Sequence, residues 1–181
     1  MRDVTVYIAM SLDGYIADRK GGVDWLTGQE PERDTTNSYD LFVKDIDTVL
    51  MGWRTYHQIV TELSPATWPY GGMTCYVLTH RPMADREDIR FRSGDAGALV
   101  RRLREEPGGG IWICGGADLI RQLIRENLID RLHLSIIPTV LGGGIPLFEP
   151  SEQACLLRLI RSGCENGIAE LVYERRDRRK E

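Results

Sequence analysis

The sequence predicts an α/β fold: a mostly parallel central sheet, antiparallel strands at its C-terminal edge, and helices on both faces. Three observations carry that expectation. Short β-branched runs alternate with segments of helical period through most of the chain, the pattern of a sheet flanked by helices. Towards the C-terminus this gives way to residue-by-residue alternation, which suits an antiparallel edge with one wetter face better than a parallel centre. A length of 181 residues, with no internal repeat and no linker, fits one domain over residues 1–181 with its core at about 4–175.

The elements follow in order. Val4 to Met10 reads as the first strand, and a polar, glycine-containing stretch runs from Ser11 to about Arg33. Thr35 to Lys44 fits a helix burying Tyr39, Phe42 and Val43. Thr48 to Met51 is a buried strand, and Arg54 to Leu63 a helix stopped by Pro65. Thr74 to Thr79 is another strand. Asp95 stands where it would cap a helix that places Leu99, Val100 and Leu103 on one side. Ile111 to Cys114 is a strand, and the helix after it is the clearest in the chain. There Ile120, Leu123 and Ile124 share a face, and Asn127 occupies the position of a left-handed C-terminal cap. From Arg131 to Thr139, Leu132, Leu134 and Ile136 point one way, with His133 and Ser135 on the expected wetter face. Gly167 to Arg175 alternates in part.

Composition narrows the function classes. Hydrophobic content of 42% and charged content of 28% are those of a soluble protein, and a net charge of -4 argues against a nucleic-acid partner. Arg175, Arg176, Arg178, Arg179 and Lys180 are interleaved with Asp177 and Glu181, which reads as a solvated tail. Cys75, Cys114, Cys155 and Cys164 form no C-x-x-C pair, and three of them lie in apolar stretches. Reduced, buried thiols and no metal site are expected. No apolar run approaches the ~20 residues of a membrane span, and the N-terminal residues lack signal-peptide organisation. A cytoplasmic protein without a membrane partner is the expectation.

Three strand ends carry residues suited to a phosphate. Cys114-Gly115-Gly116-Ala117-Asp118-Leu119 joins an apolar strand to the clearest helix. Its glycines admit close backbone approach, and the helix start offers unpaired N–H groups. At Met51-Gly52-Trp53-Arg54-Thr55-Tyr56, Gly52 again allows approach. An arginine in a first helical turn opposes the helix dipole, so a nearby anion would account for Arg54. Leu78-Thr79-His80-Arg81-Pro82 ends a strand with a hydroxyl, an imidazole and a guanidinium able to clamp a phosphate. Neither G-x-G-x-x-G nor G-x-x-x-x-G-K-[ST] is present, so a dinucleotide would be held in another way.

These stretches carry a family resemblance. Ile8-Ala9-Met10-Ser11-Leu12-Asp13-Gly14-Tyr15-Ile16-Ala17 resembles the first strand and loop of the dihydrofolate-reductase-like superfamily. It is closest to the branch containing the reductase domain of the bifunctional riboflavin-synthesis deaminase/reductase. Val49-Leu50-Met51-Gly52 with Thr55-Tyr56 resembles that family's M-G-R-x-T-[YW] motif. Ile113 to Gly116, Leu128 to Leu132, and Pro138 to Gly144 through Leu147-Phe148 are similar to its C-terminal half. The likeness runs from about Val4 to Tyr173.

The resemblance implies an NADPH-dependent reductase, with NADH not excluded, that passes hydride to a small heterocycle of the pterin or ribosylaminopyrimidine type. The alternative is a non-catalytic dinucleotide-binding protein of the same fold. Ala9, Ile16, Gly21 and Gly22 would line the nicotinamide pocket. Gly52, Trp53, Arg54 and Thr55 would meet pyrophosphate and ribose. Thr79, His80 and Arg81 would surround the adenine side and any 2′-phosphate, and Cys114, Gly115, Gly116, Ala117, Asp118 and Leu119 would cradle the pyrophosphate. The Gly115-Gly116 peptide would be cis, Trp25 would stand at the substrate end of the loop, and relatives imply a homodimer. Two departures stand out. Trp53 replaces the family's arginine, which moves any 2′-phosphate contact to Arg54 or Arg81. The helix carboxylate of folate reductases has no aligned counterpart, leaving Glu30, Asp34 and Asp40 as candidates.

Overall fold

In the computed structural model the described residues are 1–30, 37–152 and 154–176. Among them, eight strands form one sheet. These are β1 (Val4–Ser11), β3 (Ile46–Gly52), β4 (Thr74–Leu78), β5 (Ile89–Arg92), β6 (Gly110–Gly115), β7 (Arg131–Ile137), β9 (Leu157–Glu165) and β10 (Ile168–Arg175), in the order β5-β4-β3-β6-β1-β7-β10-β9. The first six are mutually parallel, whereas β10 runs antiparallel to β7 and β9 antiparallel to β10. All six parallel strands therefore end on one edge, where ligands of open α/β sheets bind. Short β2 (Tyr15–Ala17) and β8 (Ile145–Pro146) pair beside that edge.

Alternation along the central strands builds two cores. Val4, Val6, Leu50, Ile111 and Ile113 face one side, where α3 (Ala96–Glu105) and α4 (Ala117–Arg125) cover them with Leu99, Val100, Leu103, Ile120 and Leu123. Val49, Met51, Val77 and Trp112 face the other side, under α1 (Asn37–Val43) and α2 (Trp53–Gln58). Strands buried on both faces need apolar residues at every position, which is why these segments read as continuous apolar runs. Asp95 caps α3 by accepting from Gly97 N at 2.9 Å, and Asn127 adopts φ 57° after α4, both as expected.

Several expectations are corrected. The helix read over Arg54 to Leu63 is α2 followed by a π-helical turn over Ile59–Leu63. His133 and Ser135 do not face water: they are 3% and 8% exposed, because Glu170 of β10 and the aromatic side chains of β1 and α1 cover them. Cys75 is buried and Cys114 half-buried, but Cys155 and Cys164 are exposed, near and on the outermost strand β9. Strands β5 and β9 had no sequence reading. The first residues of the helix expected over 35–44, and Asp34, lie outside the described residues.

Candidate functional site

The site edge is assembled by pairing that brings distant motifs together. Met51 of β3 lies opposite Gly115 of β6, so the N-termini of α2 and α4 emerge side by side. Each helix has a glycine N-cap, Gly52 and Gly116, and neither cap has a side-chain hydrogen bond to the first-turn amides. A Cβ built on Gly52 would stand 3.8 Å from Gly116 N, and one on Gly116 would stand 3.4 Å from Thr55 Oγ1. Gly52, Thr55, Gly115 and Gly116 are thus close neighbours at this edge, with Ala117 the first residue of α4. Gly115 has φ 141°, a conformation few side chains tolerate, and the Gly115-Gly116 peptide is cis. Free helix-start amides beside a hydroxyl suit a phosphate. The residues present therefore fit the pyrophosphate of a dinucleotide.

On one flank, the Arg81 guanidinium stacks over the Trp53 ring at 4.9 Å. The Trp53 indole, just after β3, thus meets an arginine that follows the neighbouring strand β4. Thr79 is buried and its Oγ1 accepts from Arg81 N at 3.1 Å, so that hydroxyl shapes the turn. His80 and Arg54 are exposed.

On the other flank, the loop after β2 folds around Asp18, whose carboxylate accepts from Lys20 N and Gly22 N at 2.7 and 2.9 Å. Those hydrogen bonds hold the Asp18 carboxyl below its ordinary range. Gln58 of α2 donates to Gly21 O at 2.9 Å, and Trp25 Nε1 donates to Gly22 O at 3.2 Å. Gly21 is therefore tied to the last residue of α2, and Trp25 to Gly22 within the same loop. Ser11-Leu12-Asp13-Gly14 meets the Pro138 to Gly144 loop through Asp13, which accepts from Leu141 N and Gly142 N at 3.1 and 2.8 Å. Gly144 is obligatory there, since a Cβ would strike Ala17 O at 2.1 Å.

Other expected residues separate by which of their atoms reach the edge. The Leu119 side chain is buried in the α3/α4 core, leaving only its backbone near the helix start. Asp118 pairs with Arg121 at 2.7 Å. The Cys114 thiol lies against Tyr70, and burial pushes it up to about 11, so it stays protonated and inert. Ile16 packs with the α3/α4 core, and Ala9 lies in β1 opposite Ser135 of β7. Glu30 is exposed and held through its backbone, its N–H donating to Asn166 Oδ1 and its C=O accepting from Asn166 Nδ2, both at 2.8 Å. Asp40 is exposed on α1.

A polar cluster escaped the sequence reading. Beneath α1, His133 and Glu170 are hydrogen-bonded, Ser135 Oγ donates to the other Glu170 oxygen at 2.7 Å, and the Tyr7 ring meets His133 at 4.3 Å. Tyr7 OH is 3.0 Å from Ser38 Oγ. Only cross-strand register assembles this group, so no local motif announced it. Burial alone would raise the Glu170 carboxyl, but the hydrogen bonds from His133 and Ser135, with the charges of His133 and Arg161, outweigh it and hold the group ionised.

The comparison with known families settles the grouping, because the model of the RibD C-terminal domain matches residues 2–173. The chain belongs to the RibD C-terminal domain family. Among proteins similar to it is the uncharacterized protein YwjB of Bacillus subtilis, 42% identical over 159 residues, which are 87% of this chain and 89% of YwjB. A solved structure of a Shewanella sp. PV-4 protein assigned to riboflavin biosynthesis is similar at 27% identity, with a TM-score of 0.83 over 97% of this chain and 99% of that one. The dihydrofolate reductase of Enterococcus faecalis, solved with NADP(H), shares the fold at a TM-score of 0.65 and 19% identity, over 97% of each chain. The mixed sheet with its antiparallel C-terminal strands is that of dihydrofolate-reductase-like proteins, and family and fold together support a reductase-type function. None of the described helices is long and apolar enough to cross a membrane.

Proposed function

We propose that this protein is an NADPH-dependent reductase that transfers hydride to a small planar heterocycle. The observation that carries the reading is the convergence of two glycine-capped helix starts, at Gly52 and Gly116, beside the Arg81–Trp53 stack. When bound, the dinucleotide supplies the hydride, and the protein supplies position and a dry site. The amides after Gly52 and Gly116, with Thr55, would hold the pyrophosphate. Arg81 would meet the adenosine end, where a 2′-phosphate offers it a charge-assisted partner. The loop pinned by Gln58 would cover the nicotinamide end above Ala9, with Trp25 beside the substrate. The E. faecalis enzyme, of the same fold, was solved with NADP(H), which favours a nicotinamide dinucleotide here.

Titration with NADPH, followed by ligand fluorescence, tests the binding. NADPH oxidation with pterins, pyrimidines, quinones and nitro-compounds tests the chemistry. Saturable binding with oxidation of at least one class is expected. Absence of NADPH binding overturns the reading, and binding without oxidation of any class leaves a dinucleotide-binding protein instead.

A further inference from the structure

On the reductase reading a heterocycle that accepts hydride needs a group to hold its N–H edge; of the candidate carboxylates, Asp34 lies outside the described residues, and among those residues Glu30 and Asp40 make no side-chain contact at the strand-end site. Glu30 is exposed and tethered through its backbone to the β9–β10 turn, and Asp40 is exposed on α1. We propose that Glu170, held by His133 and Ser135, is the carboxylate that receives the N–H edge of the substrate ring; this rests on the reductase reading.

Three features point to it. The first is register. Ala9 of β1 lies directly opposite Ser135 of β7, and Ser135 directly opposite Glu170 of β10. Directly paired residues project to the same face, so all three lie in one row on the α1 side. Two strand spacings separate Ala9 from Glu170, roughly 10 Å, about the span of a bicyclic ring and its contacts. The second is a gradient of exposure across the hydrogen-bonded pair: the His133 side chain is 4% exposed and that of Glu170 is 19%. The imidazole lies beneath Tyr7 and Phe42, while the Glu170 side chain stays partly exposed. The third is unused capacity. A carboxylate has about four acceptor positions, and the contacts seen occupy one on each oxygen. Each oxygen keeps a second acceptor position, an arrangement that accepts two adjacent N–H groups at once.

The surroundings favour the ionised form that such recognition needs. The groups facing Glu170 are His133 and Ser135 of β7 and Arg161 of β9, with Tyr7 of β1 behind the imidazole. On α1, Ser38 Oγ stands 3.0 Å from Tyr7 OH, and the Tyr39 ring meets the Tyr7 ring edge-on at 6.0 Å. A purely structural pair would hold α1 on the sheet and would not discriminate among ring substituents.

The probe is 2,4-diaminopyrimidine, whose protonated ring presents two adjacent N–H donors to a carboxylate. With NADPH present, the intact protein is expected to bind it, and Glu170→Gln to weaken it about tenfold or more, the loss of a charge-assisted pair. NADPH affinity of the variant should stay within about twofold, which also shows that it is folded. A second measurement needs no variant. At a pH above the probe's own pKa, the ultraviolet difference spectrum of the bound probe should be that of its protonated form. A probe bound equally by the intact protein and Glu170→Gln, bound in its neutral form, or not bound at all overturns the assignment. If NADPH still binds and is oxidised with one of the substrate classes in those cases, the reductase reading stands. If NADPH fails to bind the intact protein, both fall.

Discussion

Arg81 is exposed in the turn after β4, and its guanidinium lies over the Trp53 ring. An exposed cation–π contact contributes about 0.5–1 kcal/mol, enough to favour one position of a flexible side chain without fixing it. Replacing Arg81 with alanine should weaken NADPH by about 1.5–3 kcal/mol and NADH far less, because only the former carries the 2′-phosphate. Equal losses in the two titrations would show that Arg81 does not read that group. At Gly116 the issue is space. A Cβ there already stands 3.4 Å from Thr55 Oγ1, and the two methyls of Gly116→Val would reach over the amides that start α4. Dinucleotide binding by that variant should fall below detection in a fluorescence titration, and undiminished binding would remove the phosphate site from this turn. These glycines were legible in the sequence because a strand-to-helix turn is local, its residues adjacent in the chain. Glu170 was not, since His133 and Ser135 stand 37 and 35 positions away and only β7–β10 pairing brings them to it.

At the scale of elements, periodicity found every helix whose face meets a core. It failed at the sheet margins. In β5, Ile89 and Phe91 turn inward between Arg90 and Arg92, and four residues are too few to mark a period. In β9, most residues are exposed on both faces, so no side is written as apolar. The wetter face read into β7 was wrong for a related reason: alternating polar residues mark a water-facing side only when no partner supplies hydrogen bonds, and β10 supplies Glu170. That cross-strand contact has a measurable consequence. The folded-state pKa of Glu170 lies below its unfolded value, so its stabilisation is complete above the ordinary carboxylate range and disappears as pH falls through the folded pKa. Denaturant midpoints of the intact protein and Glu170→Gln should therefore differ most near neutrality and converge below about pH 4, in the range where carboxylates protonate. A constant difference across that range would mean that the carboxylate's charge contributes nothing to the fold.

For the whole molecule, the outermost strand is the feature that calls for a partner. Leu159 and Ile160 are 49% and 46% exposed on β9, and Leu156 just before it is 45% exposed. An edge with unpaired backbone groups and exposed apolar side chains invites association. We expect a two-fold homodimer that includes this edge. Light scattering at micromolar concentration should report about twice the 20.5 kDa chain mass, and charged substitutions at Leu159 and Ile160 should return it to the monomer. A monomer before substitution would refute this. A different consequence follows from how Asn166 holds residues 29 and 30. Its hydrogen bonds to them are with the main chain: its O accepts from Gln29 N, and its side chain bonds the N–H and C=O of Glu30. The path of this rim is thus specified from across the molecule, and the side chains of Gln29 and Glu30 do not hold that path through these contacts. Mutation can change their chemistry without disturbing these tethers. Substitution at these two positions changes the surface of this loop while Asn166 keeps its path.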